Sequence, residues 1–193
     1  LLGALDNFLA VKNYLFTPAL VEAFAARARA LHGASREGAI NLIVSELSAE
    51  FSDHAVRSEL DFCFTSAGAN AGAFALVYAS LTERILIQGS ALDTSGLLGR
   101  CRGETHDTVL TGELTQWREG EVSARTFGPG ETAVCRTGEA AAVQLGAGTW
   151  TLQYGRGAVV PPQLLSVPDL RTAWRAWGAW AGSMARELLR FQI

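Results

Sequence analysis

The hydrophobic period of this chain changes twice, and that switch constrains the fold more than any other feature. Over residues 17 to 56 apolar side chains recur at helical spacing. From about residue 60 to 165 the period drops to two, in short stretches such as "GAFALVYASL", "ERILIQG", "DTVLTGELTQW" and "AAAVQLGAGTWTLQYG", separated by glycine-centred turns. After Pro161, Pro162 and Pro168 the helical period returns. Many short strands at this spacing predict a sandwich or a barrel with helices on either side. A chain of 193 residues suits one domain. We expect a single domain over 1–193, with helices in 1–56, the β-barrel in 60–165 and a C-terminal helix in 166–193.

Local signals place the helices. Thr17 before Pro18 predicts an N-cap with proline in the first turn, opening a helix through Leu20, Phe24 and Leu31 that stops near Gly33. A second helix follows Ser35, with Ile40, Ile43, Val44, Leu47 and Phe51 on one face. Upstream, Leu1, Leu5, Phe8 and Leu9 suit an amphipathic stretch too short to cross a bilayer. The chain opens on Leu1 rather than Met, which reads as a trimmed or processed N-terminus. The last segment aligns Leu170, Trp174, Trp177, Ala181, Met184, Leu188 and Phe191 on one stripe, with Arg171, Arg175, Arg186 and Arg190 roughly opposite. That pattern suits a helix lying on a membrane surface; a helix packed on the barrel or on another subunit is the alternative.

Composition removes several functions. A net charge of -3 without a basic run excludes a nucleic-acid partner. Hydrophobic residues make up 49% and charged residues 18%, so part of the surface is expected to meet lipid or a partner. Cys63, Cys101 and Cys135 lack metal or framework spacing and are expected as buried thiols. His32, His54 and His106 are scattered, and no metal is expected.

The stretch "LTQWREGEVSARTFGPGETAVCRTGEAAAVQLGAGTWTLQYGRG", residues 114 to 157, carries "QWREG", "PGE" before a strand, "GEA" and "TW...YGRG" in order, supported by "SAGANAGAF", "YASLTE" and "GETHDTVLTG". It resembles the family of the sigma-1 receptor and the fungal C-8 sterol isomerase, over roughly residues 15 to 165. The resemblance implies a mixed β plus α fold: a metal-free, cupin-like β-barrel without a cofactor, flanked by two N-terminal helices and a C-terminal amphipathic membrane-surface helix. It also implies a membrane helix upstream of residue 1, association as a homotrimer, and the endoplasmic reticulum as the compartment. The mitochondrial inner membrane is the alternative, since a processed N-terminus suits it.

The family pocket implied by the resemblance is apolar and holds a carboxylate pair. One carboxylate binds a ligand's ammonium, or handles the proton and carbocation of double-bond migration; the other orients it. Carried onto this chain, the expected pocket is Thr65, Phe74, Leu76, Arg84, Leu86, Gln88, Thr105, Asp107, Leu114, Cys135, Val143, Leu145 and Gln153. Asp107 matches the orienting carboxylate, but Gln153 stands where the principal one belongs, and Arg84, Gln88, Cys135 and Leu145 replace a tyrosine, a phenylalanine, a histidine and a tryptophan. An amide has no titratable proton and no charge, so Gln153 serves neither as acid nor base. It also forfeits the attraction of roughly 4 kcal/mol that two unit charges about 4 Å apart exert at an effective dielectric near 20.

Arg84 shares a strand face with Leu86 and Gln88 and needs a partner if that face looks inward. We expect an ion pair with Asp107, with Gln153 bonded to one of the two. A register shifted by one would instead turn Arg84 to water. Gly128, Pro129, Gly130 and Gly155 are expected in tight turns with positive φ, Trp117 and Trp150 in packing. Glu83, Arg118 and Glu119 are expected in pairs toward a neighbouring subunit, with a solvated strand end equally open for Glu119. Three functions follow: a non-catalytic binding or structural component at a membrane, alone or as an accessory subunit; a C-8 sterol isomerase using Asp107; or a hydrophobic-amine receptor. The partners expected are a lipid surface, other protein subunits or copies of the chain, and a sterol-like or other hydrophobic ligand.

Overall fold

Helix α1 (Pro18–His32) begins where the sequence places it: the Thr17 hydroxyl accepts from the Leu20 amide at 3.2 Å, and Gly33 caps the end. In α2 (Arg36–Glu50) Ser35 caps the Gly38 amide at 3.3 Å. These elements belong to a computed structural model that describes residues 12–33, 35–66, 71–157 and 170–190. The expected positions Leu1, Leu5, Phe8 and Leu9, the prolines Pro161, Pro162 and Pro168, Phe191 and the Leu170 side chain lie outside the described residues. Leu31, expected on the apolar face of α1, is exposed, and Val21, Phe24, Ala25 and Ala28 are buried instead.

The period-two region forms β1 (Cys63–Thr65), β2 (Gly72–Ala79), β3 (Glu83–Ser90), β4 (Thr94–Arg100), β5 (Glu104–Thr111), β6 (Leu114–Arg118), β7 (Arg125–Phe127), β8 (Thr132–Cys135), β9 (Ala140–Leu145) and β10 (Thr149–Arg156). All the pairings among them are antiparallel. They build a six-stranded sheet, β1-β2-β3-β10-β5-β8, and a four-stranded sheet, β4-β9-β6-β7. The two sheets face each other across a core of Val109 and Ala133 from the first and Leu114, Phe127 and Val143 from the second. The expected mixed β plus α fold is met, with one change: the barrel is a sandwich of two separate sheets rather than one closed cylinder.

The six-stranded sheet is buried on both faces. Its outer side chains Ile85, Ile87, Leu110, Leu152 and Tyr154 pack under α1 and α2 against Val21, Phe24, Ile43 and Leu47. Glu83 fastens the chain entering α1 to this face. Its carboxylate accepts from the Leu15 and Phe16 amides, each at 2.9 Å, and from the Tyr154 hydroxyl at 3.1 Å. This corrects the expectation that Glu83 pairs toward another subunit. Arg118 donates to the Val134 carbonyl at 3.0 Å, and Glu119 pairs with Arg100 at 2.7 Å on the surface. Trp150 packs against Phe62, whereas Trp117 is exposed.

Helix α3 (Leu170–Arg190) lies against β1 and β2, on the side that carries Phe74, Leu76 and Leu86. It docks through Ala176, Ser183 and Glu187 rather than its tryptophan stripe. Ser183 Oγ accepts from the Ala79 amide at 3.1 Å, and Glu187 accepts from the Ala55 amide at 2.6 Å. Arg175 pairs with Asp61. The stripe residues Trp174, Trp177 and Leu188 face outward. No helix among the described residues is long and apolar enough to cross a membrane.

A second correction concerns the thiols. Cys101 and Cys135 form a disulfide that ties the end of β4 to the end of β8, one from each sheet. Their separation of 34 residues leaves no spacing signal. They meet because the Cys101 amide donates to the Glu139 carbonyl at 2.8 Å, bringing the end of β4 against the β8–β9 turn. Cys63 remains a buried thiol.

Candidate functional site: an amide and carboxyl cluster between the sheets

Strand β10 runs between β3 and β5, and its register sets Gln153 opposite both Leu86 and Asp107. Alternation then sorts the side chains. Ile85 and Ile87 pack on the helices, so Arg84, Leu86 and Gln88 point between the sheets. The shifted-register alternative for Arg84 is thereby ruled out. Thr151, Gln153 and Gly155 share the inner side of β10, and Thr105 and Asp107 that of β5.

At the centre, Gln153 Nε2 donates to Asp107 Oδ1 at 2.8 Å, and Gln88 Nε2 donates to the same oxygen at 2.9 Å. Asp107 and Gln153 are 8% and 5% exposed. Burial pushes the Asp107 carboxyl above its ordinary range, against the opposing pull of the Gln153 hydrogen bond, the Arg84 charge and the Gln88 hydrogen bond. The expected bond of Gln153 to the cluster therefore forms.

The expected ion pair does not. Arg84 stays outside ion-pair distance of Asp107, and its Nη2 donates to Thr105 Oγ1 at 3.3 Å. Arg84 stands one inward position further along the sheet than Gln153 and Asp107, where Thr105 and Gly155 are its neighbours. Burial lowers the Arg84 guanidinium to about 10, opposed by the Asp107 charge, so it remains a cation at neutral pH. Gly155 is required here for space rather than for a turn: a Cβ on it would meet Arg84 Cζ at 2.5 Å. Of the glycines expected at positive φ, Gly130 has it, at 91°, whereas Gly128 and Gly155 do not.

A cavity of about 60 Å³ opens beside the cluster. Of the expected pocket residues, Thr65, Gln88, Asp107, Leu114, Val143 and Leu145 line it. Phe74 and Leu76 line a smaller cleft under Ala176 and Ala179 of α3, and Leu86 packs with them. Cys135 is taken by the disulfide, and Arg84, Thr105 and Gln153 contribute through the hydrogen bonds above. Sequence reading missed Leu98, Gln116 and Ala133 in the cavity wall. Gln116 was reachable, since it sits two residues from Leu114 on the same strand face.

A separate polar cluster lies on the outer face. His106 Nε2 and Glu104 Oε1 are 2.5 Å apart, and Arg156 pairs with Glu104 at 3.0 Å. Burial opposes ionisation of Glu104, but hydrogen bonds from His106 and Arg156 outweigh it and hold the carboxyl below its ordinary range. No group of three or more His, Cys, Asp or Glu side chains arranged for a metal occurs among the described residues.

Residues 1–192 match the family described as "ERG2 and Sigma1 receptor like protein". The chain belongs to that family. The sigma non-opioid intracellular receptor 1 of Gallus gallus is 41% identical over 170 residues, covering 88% of this chain and 75% of the receptor. The C-8 sterol isomerase of Aspergillus fumigatus is 27% identical over 185 residues, covering 92% of this chain and 77% of the isomerase. Among solved structures, an RmlC-like cupin from Shewanella frigidimarina is similar over 52% of this chain and 86% of its own length, at a TM-score of 0.44 and 10% identity. Family membership bears out the resemblance read from "QWREG", "PGE" and "YGRG". Within that family, this chain presents an inner cluster of one carboxyl, two amides and a guanidinium.

Proposed function

We propose that this member of the family is a non-catalytic binding or structural component that works at a membrane surface, alone or as part of a larger assembly. The observation that carries the reading is the Gln153 amide donating to Asp107 at 2.8 Å. A second carboxyl at that position would share a proton with Asp107 and could hold a cation; an amide does neither. A ligand of this chamber is held by hydrogen bonds and apolar walls, without an ammonium–carboxylate pair. The sterol isomerase relative makes a hydrophobic ligand the natural class.

The membrane part of the reading rests on the outward stripe of α3, where Trp174 is 82% exposed and Trp177 and Leu188 are exposed beside it. The outer face of the four-stranded sheet exposes Leu97 and Trp117, which suits contact with a protein partner. We assign the protein to the endoplasmic reticulum by its relatives, with the mitochondrial inner membrane as the alternative.

One observation favours a second reading, a C-8 sterol isomerase: Asp107 is a buried carboxyl held toward its protonated form, which is the property of a general acid. Supplying a Δ8-sterol to the unaltered protein and to Gln153→Glu separates the two. No turnover by the unaltered protein is expected. Turnover by it would overturn the non-catalytic reading, and turnover only by Gln153→Glu would show that the amide alone withholds the reaction.

A further inference from the structure

Arg84 is 4% exposed, yet the hydrogen bond it makes among the described residues is a single one to a neutral hydroxyl, Thr105 Oγ1 at 3.3 Å. Its Nε is buried without a partner. Burying a guanidinium is costly unless an anion and several hydrogen bonds replace its hydration. Among the described residues no anion pairs with it: Asp107 lies outside ion-pair distance, and Asp107 Oδ1 accepts from Gln88 and Gln153. The chain nevertheless accommodates the cation, because Gly155 offers a surface without a Cβ on which the guanidinium rests.

We propose that Arg84 is an internal anion site, and that this chamber binds the carboxylate of a small apolar monoacid through the Arg84 guanidinium with Thr105 beside it. The site deepens the reading of the chamber as a binding rather than a catalytic space, and it rests on that reading. A carboxylate is planar and matches the fork formed by Nε–H and a terminal N–H of arginine, so one ligand group satisfies the buried Nε and the charge together. The ligand carries an apolar tail because Leu86, the next inward residue on the same strand, packs with Phe74 and Leu76. It is small because the cavity beside Asp107 and the cleft under α3, neither of which Arg84 or Thr105 lines, measure only about 60 and 10 Å³. Burial leaves Arg84 charged at neutral pH, and Asp107 is biased toward its neutral form, which lessens its repulsion of the incoming anion.

The test is a titration of the purified protein at pH 7 with butyrate, butylamine and 1-butanol, followed by ligand-observed NMR, in the unaltered protein and in Arg84→Gln. Butyrate is expected to bind at least about tenfold more tightly than the alcohol or the amine, and Arg84→Gln to weaken it about ten- to a hundredfold, the range for losing hydrogen bonds to a charged group. Equal binding of butyrate and butanol, absent butyrate binding, or unchanged binding in a folded Arg84→Gln protein would each overturn the site. If Arg84→Gln does not fold, the selectivity of the unaltered protein still decides. Sterol turnover is read separately: a protein that binds butyrate and isomerises a Δ8-sterol breaks the non-catalytic reading but keeps the anion site. A protein that does neither keeps the reading and loses the site.

Discussion

The two sides of the six-stranded sheet are built on opposite principles. Under α1 and α2 its strands present Ile85, Ile87, Leu152 and Tyr154, all completely buried against Phe24, Ile43 and Leu47. On the inner side β3, β5 and β10 present Arg84, Asp107 and Gln153, also buried but polar, with Gln88 half-buried beside them. Strand pairing is identical on both sides, so backbone architecture does not explain the contrast. Apolar packing alone would have stabilised the inner side more simply, since each buried polar group must be satisfied or it costs stability. The helix-covered side holds the fold together by packing, and the inner side keeps buried polar groups that packing alone does not call for.

That contrast breaks most sharply under truncation. Phe24→Ala empties a fully buried site on the helix-covered side, and urea unfolding is expected to show a loss of about 3–5 kcal/mol. Gln153→Leu on the inner side removes one of the two amide donors to Asp107 while keeping the side chain large. A loss of about 1–3 kcal/mol is expected, because the buried carboxyl loses a hydrogen bond rather than a packing contact. If the two variants lose equal stability, the division between a packed side and a polar side fails.

The smallest effect sharpens the comparison through pH. Asp107 has its folded pKa raised above the ordinary value of 3.8, so the folded state binds the proton more tightly than the unfolded chain. Its contribution to stability is fully present below 3.8 and is lost as pH rises through the raised folded value. Asp107→Asn keeps an oxygen that accepts from both amides but cannot ionise. Subtracting its stability-versus-pH curve from that of the unaltered protein should leave a difference that moves against the unaltered protein as pH rises above 3.8 and then levels off. A flat difference would show that Asp107 titrates alike in both states.

Much of the scaffold was legible because its signals are short-range. Thr17, Pro18 and Ser35 cap the helices with their own neighbours, within three residues. Alternation in "TERILIQG" and "TWTLQYGRG" was enough to put Arg84, Gln88 and Gln153 on one side once the family placed that side inward. Other features were not legible, for reasons that differ. The docking face of α3 combines Ala176 and Trp180 with Ser183 and Glu187, which bond to backbone at Ala79 and Ala55, whereas hydrophobic periodicity pointed to the stripe whose Trp174, Trp177 and Leu188 face outward. Glu83 reads as a strand-end charge until the amides of Leu15 and Phe16 close on it.

By itself, then, the sequence determined the order of helices and strands, the family, and the strand alternation that sets Gln153 apart from Leu152 and Tyr154, because each is written in neighbouring residues or in a motif. Only the tertiary structure decided that Cys101 meets Cys135, that the sheets stay separate, and that Arg84 rests on Gly155 and Thr105 instead of pairing with Asp107. These outcomes depend on distances of a few ångströms between segments far apart in the chain. Strand register and the packing of distant segments set those distances, and periodicity carries no information about either.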